Sequence, residues 1–585
     1  MVRNISSCLM LTAALVSGAD SPGWVSKSNQ NAQVLLDIGA RYYPESAGQY
    51  GMSGLDDKII DLTPKSSERR TQETIRAVKT LRARLDAETD PLVRQDLEIL
   101  IQAAEQNVHE FQLNEKYYIP YRAAMQTIFG GIQALLDDQV SAERRPAALT
   151  RLRRYTGLEA GYTPLTVLAE RHTREKLNEP GLRGPPTVKV NKDLANTKFF
   201  VDGIGELFEK YKIAGYREAY AKLKEQAAAY DNFVRKEVLP KSTADFRLPP
   251  EVYDFSLVGY GVDIPATKLT SMAHAAFRQI QDEMGGIAAQ IARQKGLSTQ
   301  DYRDVIRELK KDQLVGAEIL PHYQKRITQV EEIIRRERLV TLPVRPARVI
   351  LASPAETAQQ PAPHMQPPRL IGNTGESGVF VLPLNIPGPP GEKSQRYDDF
   401  TFAAASWTLV SHEVRPGHEM QFAAMVERGV SQARAIFAFN STNVEGWGLY
   451  SEFIMKPFMP LDGQLISLQH RLMRAARAFL DPELHMGKIT PEQALRVLRE
   501  DAMLSDAMAN QEVERYMFRM PAQATSYFYG YTRLSELRAD TQRELGAKFD
   551  QQKFHDFILG QGLLPPALLR KAVFADFVGK AGFGF

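Results

Sequence analysis

Apolar residues recur along most of this chain at the three- and four-residue spacing of an amphipathic helix. Ile75, Val78, Leu81 and Leu85 fall on one face of a predicted helix. Asp90-Pro91 then supplies a cap and a first-turn proline for another, running through Leu97, Leu100 and Ile101. Thr490-Pro491-Glu492-Gln493 reads as a capping box that opens a helix through Leu495 and Leu498. Segments 204–238, 266–294 and 318–338 carry the same period, so the expected fold is mainly α.

The period fails over residues 341–395. Eleven of the chain's 34 prolines lie there, from Pro343 to Pro390, together with two β-like runs at 347–352 and 378–384. Proline is excluded from helix interiors, so the stretch is expected to be extended, a strand pair with a loop that borders a cleft. A plain interdomain linker is the other reading, and Val379-Phe380-Val381-Leu382 is too apolar for one. The chain then divides into a leader at 1–19, an N-terminal helical region at 20–340, the Pro-rich element at 341–395 and a C-terminal helical region at 396–585.

Composition narrows the chemistry. Among 585 residues, 73 Lys and Arg nearly balance 70 Asp and Glu, a formal charge of +3, which makes no electrostatic footprint for nucleic acid. Hydrophobic residues at 43% and charged residues at 24% exclude wholesale disorder. The single cysteine, Cys8, excludes an intramolecular disulfide, a Cys-based zinc finger and an iron–sulfur cluster. Any metal site must therefore use the ten histidines and the carboxylates. Cys8 itself sits in a segment laid out as a secretory signal peptide. Arg3 precedes an apolar run at 8–16, and Ser17-Gly18-Ala19 allows cleavage after Ala19. A short, weakly buried N-terminal helix is the other reading. Cleavage implies a periplasmic or secreted protein. No small-residue pattern precedes Cys8 to mark a lipid anchor, and no run approaches the ~20 apolar residues of a membrane span.

The most unusual motif is His412-Glu413-Val414-Arg415-Pro416-Gly417-His418-Glu419-Met420-Gln421. Two His at i and i+4 on one helix face, with an intervening Glu, make the zinc motif HExxH. Here the second His falls at i+6, roughly 120° around a regular helix rather than roughly 40°. Pro416 has no N–H to give the carbonyl of His412, and Gly417 tolerates bulge angles. If that pair loops out, His418 returns to the position of the second ligand. Farther on, Glu445 in Glu445-Gly446-Trp447-Gly448-Leu449-Tyr450-Ser451-Glu452 is the candidate third ligand, placed just ahead of a helix. Glu452, two turns on, is positioned to hold a ligand His by its other ring nitrogen. A solvated helix face is the other reading of each glutamate.

These motifs, HEVRPGHEMQ and EGWGLYSE, resemble the bacterial family catalogued as domain of unknown function 885, whose signatures take the forms HExxPGHxxQ and EGWxxYxE. Later stretches resemble it too: Arg474 to Arg477 through Asp481 and His485, and Glu512 to Tyr516 through Gln523, Tyr527 and Gly530. Glu483 and Ala522 stand where the family usually has Gly. The resemblance implies a helical, two-lobed body around a deep channel, as in thimet oligopeptidase, carboxypeptidase Taq and angiotensin-converting enzyme, with zinc on the channel floor. It implies His412, His418 and Glu445 as Zn2+ ligands and Glu413 as general base. Related peptidases place an oxyanion donor downstream of the third ligand, which points to Tyr527, then to Tyr516 or Arg515. Packing in the core is the other reading of these side chains.

Gln421, His485 and Asp481 complete the residues expected around the ligands. His485 is either a substrate contact or a buried His bonded to Asp481. The remaining histidines, at 109, 172, 274, 322, 364, 470 and 555, read as structural or surface, with His364 placed to border the cleft. The expected activity is zinc-dependent hydrolysis of peptide bonds in short peptides. Hydrolysis of another amide, or a binding protein with a residual metal site, are the alternatives. Nothing in the sequence sets the oligomeric state.

Overall fold

Helix ends in the structure, a computed structural model, show why the apolar periods start and stop where they do. It describes residues 22–386 and 395–579, so the leader at 1–19 lies outside the described residues. Helix α1 (Ser66–Ala87) carries the first apolar face. Helix α2 (Pro91–Tyr117) starts where the Asp90 carboxylate accepts the Leu92 N–H at 2.9 Å, satisfying a donor that has no partner inside the helix. The Thr490 capping box forms as expected. The 204–238 period falls in two helices, Thr187–Lys210 and Arg217–Phe233, separated by a turn in which Gly215 takes a φ of 80°. Helix α3 (Ala266–Lys295) is a single long rod.

The Pro-rich element is extended only in part. Strands β1 (Arg348–Leu351), β2 (His364–Gln366) and β3 (Val379–Leu382) form a sheet in the order β1-β3-β2. β1 runs parallel to β3 with Arg348 opposite Val379, and β2 runs antiparallel to it with His364 opposite Val381. Two of these strands match the β-like runs. The third, three residues between Pro363 and Pro367, carries no strand signal of its own. The expectation of a strand pair joined by a loop is corrected at Pro354–Gln359, which is helical. Its proline sits at the first helical position, where no N–H is needed, and Ser353 with Glu356 makes a capping box.

The remaining helices position the candidate site. They are α4 (Ala403–Leu409), α5 (His418–Arg428), α6 (Ser441–Met455), α7 (Leu461–His485) and α8 (Ser526–Leu545). α3 packs along α7, and α6 along α8. The second contact is unusually close because it is made by glycines. A Cβ on Gly530 would lie 2.0 Å from the Thr442 carbonyl oxygen, and one on Gly446 2.6 Å from the Gly530 backbone. This approach brings Glu445 on α6 and Tyr527 on α8 to the same place. The core is in two large parts. One gathers side chains between Ile60 and Val238 with Ala355 and Ala358; the other joins Ile99 to side chains from Tyr253 to Val573 and takes in β3 and all five site helices.

Candidate metal centre

The inserted pair in the histidine motif does its work through the backbone. α4 passes into a wider turn at Val410–Val414, where the Arg415 N–H reaches back five residues to the Val410 carbonyl at 2.9 Å. Arg415 to Gly417 then leave the helix, and α5 begins at His418. Gly417 passes so close to the preceding turn that a Cβ would lie 1.8 Å from the His412 carbonyl oxygen. The excursion is anchored on both sides. Buried Arg415 bonds Glu419 at 2.9 Å, Glu331, and the Arg345 carbonyl at 2.5 Å. The Trp447 indole N–H donates to the Pro416 carbonyl at 2.8 Å. The two imidazoles, six residues apart in sequence, end with ring centres 4.7 Å apart and planes at 82°.

Glu445 meets them from α6, whose N-terminus is capped by Asn440 accepting the Asn443 N–H at 2.8 Å. It lies one turn inside the helix, a correction to the expected position ahead of it. Its Oε2 is 3.2 Å from His418 Nε2 and 3.5 Å from His412 Nε2, and one ligand atom from each of the three residues lies within 4.8 Å of the others. Atoms held ~2.0–2.1 Å from a tetrahedral ion stand about 3.3 Å apart, so these residues have the spacing of ligands around zinc. Burial alone would raise the Glu445 carboxyl, but hydrogen bonds from His412 and His418 hold it well below the usual range. Glu452, two turns along α6, accepts His412 Nδ1–H at 2.7 Å and the Thr408 hydroxyl at 2.5 Å. Its burial is overcome by Arg474 and His412, which keep it ionised, down to about 2. This bond holds Nδ1 as a donor, so that Nε2, facing Glu445, is the nitrogen available to a metal. His418 has no such support; its Nδ1 is buried without a hydrogen-bond partner.

Glu413 lies beside these ligands with a buried Oε2 that has no partner either. Burial raises its carboxyl to about 7, with His418 opposing and Glu445 adding to the shift. Glu413 and His418 both face a cleft lined, among the described residues, by side chains from Gln360 to Tyr527. β2 and the loop before it form one wall, so His364 borders the cleft. Tyr527 lies nearly parallel to His412, ring centres 6.0 Å apart, and its hydroxyl accepts from Arg515 Nη2 at 2.9 Å. Gln523 accepts Arg515 Nε–H at 3.0 Å and donates to Ser441 at 2.8 Å and weakly to Glu445 at 3.4 Å, tying this pair to α6.

Four expected residues stand elsewhere. Tyr516 is fully buried outside the cleft, its hydroxyl donated to Glu512 at 2.8 Å. Gln421 donates to Asn443 at 2.9 Å, joining α5 to α6 without touching a ligand. Asp481 accepts the Tyr253 hydroxyl at 2.8 Å and the Ala522 N–H at 3.0 Å, and makes no bond to His485. His485 instead accepts the Leu248 N–H at 3.0 Å and donates to the Tyr516 carbonyl at 2.9 Å. Conversely, His470, Arg474 and Arg477 on α7 line the cleft, although sequence reasoning assigned them no role. The available signal was polar side chains at i, i+4 and i+7 on a helix rich in Leu and Ala. A glycine was missed as well: a Cβ on Gly448 would lie 2.6 Å from His412 Cε1 and 2.9 Å from His418 Cε1.

Two solved structures share this fold over nearly their whole length. Each is described as a putative lipoprotein, that of Shewanella oneidensis also as of unknown function. The Colwellia psychrerythraea protein superposes with a TM-score of 0.76 at 18% identity, covering 95% of this chain and 99% of its own. The Shewanella protein gives 0.69 at 18% identity, covering 95% and 100%. No curated protein matches the sequence significantly. Residues 44–573 match the model of the family described as bacterial protein of unknown function (DUF885), and the chain belongs to that family.

Proposed function

We propose that this DUF885 member is a zinc-dependent hydrolase that cleaves peptide bonds in short peptides. The observation that carries the reading is the His412, His418 and Glu445 cluster beside Glu413, whose buried carboxylate oxygen faces the same cleft without a partner. His412, His418 and Glu445 would hold the ion, and the three-residue set leaves a coordination position open, as catalytic rather than structural zinc sites do. When bound, zinc supplies Lewis acidity, polarising an amide carbonyl and making water a stronger nucleophile at neutral pH. Glu413 takes the proton from the attacking water and passes it to the departing amine. Glu452 keeps His412 in the ligating tautomer. Tyr527, held by Arg515, presents a hydroxyl donor beside the ligands for the charge that develops on the carbonyl oxygen. A structural metal site has no use for the unpaired Glu413.

The N-terminal sequence and the descriptions of the two structural relatives support export from the cytoplasm. No described helix is long and apolar enough to cross a membrane. The test is cleavage of a mixed peptide library by purified protein, with and without chelator. Cleavage is expected to stop with chelator and return with zinc. Glu413→Gln is expected to keep the metal and lose turnover by about 10²–10⁴-fold. Peptide cleavage that persists in this variant overturns the general-base role, and cleavage of other amides alone overturns the substrate class.

A further inference from the structure

The cleft carries a second recognition element, built on α7 and the segment before α8. Arg474, Arg477 and Arg515 all line it, and all three guanidinium groups lie against the Tyr527 ring, Arg477 nearest at 4.4 Å. Arg477 is buried, 3% exposed, and spends Nε and Nη2 on a two-bond pair with Glu512, both at 2.6 Å. Its Nη1 is buried and has no partner. Arg474 contacts Glu452 and the His470 carbonyl, and its Nε is likewise buried without a partner. A buried guanidinium donor left without an acceptor is costly, and an anionic carboxylate oxygen is an acceptor that binds such a donor more strongly than a neutral one does. Within this cluster three guanidinium groups share two carboxylates, Glu452 and Glu512, while Glu413 and Glu445 on the same cleft belong to the metal centre.

We infer that Arg477, flanked by Arg474 and Arg515, receives the free C-terminal carboxylate of a peptide. The cleavage this directs rests on the function proposed above; the carboxylate site itself does not. The Tyr527 ring centre lies 6.0 Å from that of His412 and 4.4 Å from the Arg477 guanidinium, so the two are at most about 10 Å apart. A peptide residue spans about 3.3–3.6 Å, so a chain end held at Arg477 puts a bond within about the last three residues at the metal centre. The opposite polarity has no support. Among the described residues, the acidic ones lining the cleft are Glu413 and Glu445, both belonging to the metal centre, so a free amino end finds no separate carboxylate among them. The enzyme therefore cleaves close to the C-terminus, within about its last three residues.

The test is a calorimetric comparison of N-acetyl-alanyl-alanine with its C-terminal amide, on zinc-loaded and on chelator-treated protein. The acid is expected to bind at least about tenfold more tightly than the amide in both preparations, because the arginines and not the metal supply the preference. Arg477→Gln should abolish that preference, and Arg477→Lys, which keeps the charge without the fork, should retain part of it. Equal affinity for acid and amide overturns the assignment. So does a preference that appears only with zinc, or one that survives intact in folded Arg477→Gln. Hydrolysis plays no part in the chelator-treated arm, and the zinc-loaded arm uses Glu413→Gln, which is expected to keep the metal and lose turnover. A protein that binds the acid selectively and cleaves nothing would count against the proposed reaction and for the carboxylate site.

Discussion

At position 448 one hydrogen atom in place of a methyl group decides whether the site can assemble. The imidazoles of His412 and His418 both lie against Gly448, and a Cβ there would stand 2.6 Å and 2.9 Å from their Cε1 atoms. In an exposed helix, Gly→Ala gains about 0.5–1 kcal/mol. Here Gly448→Ala is expected to turn both rings aside. Zinc affinity should fall by about tenfold or more while the far-UV circular dichroism stays helical. Undiminished zinc affinity in a titration against a metallochromic indicator would show that the rings do not depend on this contact. Ala522 is the converse case. It holds a φ of 70° while donating its N–H to Asp481, in a conformation that costs a non-glycine residue roughly 1–2 kcal/mol. Ala522→Gly should raise the urea midpoint with no change in metal content. The family's usual glycine at this position has a physical reason in that backbone angle.

At the scale of elements, the site depends on how one helix is interrupted and how another ends. The interruption was legible in the sequence, because proline and glycine at 416 and 417 remove a donor and a Cβ where the turn must open. What anchors it was not legible: Glu331 and the Arg345 carbonyl come from 70 to 84 residues away. The end of α7 is tied by His485, which accepts the Leu248 N–H on one side and donates to the Tyr516 carbonyl on the other. The bond accepted from Leu248 requires the neutral ring, and burial lowers the His485 pKa to about 4 although the bond to the Tyr516 carbonyl opposes the shift. Between pH ~6.5 and ~4 the folded protein therefore binds fewer protons at His485 than the unfolded chain does. Its contribution, up to about 3 kcal/mol, is complete above pH 6.5 and is lost as the pH falls toward 4. Urea midpoints at pH 7 and pH 4.5 check this. The acid loss in the wild type should exceed that in His485→Asn, which keeps an acceptor but does not titrate. An equal loss would remove His485 as the cause.

For the whole molecule, the helical class was legible because amphipathic periods are local, and the metal ligands because their motif is. The arrangement around them was not. β2 escaped notice because three residues between prolines have no pattern to read, and the helix at Pro354–Gln359 because prolines were counted without asking which stood at a first turn. The arginines of α7 were hidden for a related reason. Arg474 and Arg477 look like a solvated face until a second helix, the Glu512 carboxylate and Tyr527 are packed over them. Among the described residues the cleft is lined by positions beyond 359, and the separate core between Ile60 and Val238 contributes none of these side chains. The central claim is that one zinc ion is held by His412, His418 and Glu445 despite the odd histidine spacing. Metal analysis of zinc-reconstituted, dialysed protein, wild type beside His418→Ala, tests it most directly. One equivalent of zinc in the wild type and essentially none in folded His418→Ala is the result expected. A wild type that retains no zinc, or a variant that keeps a full equivalent, would contradict it.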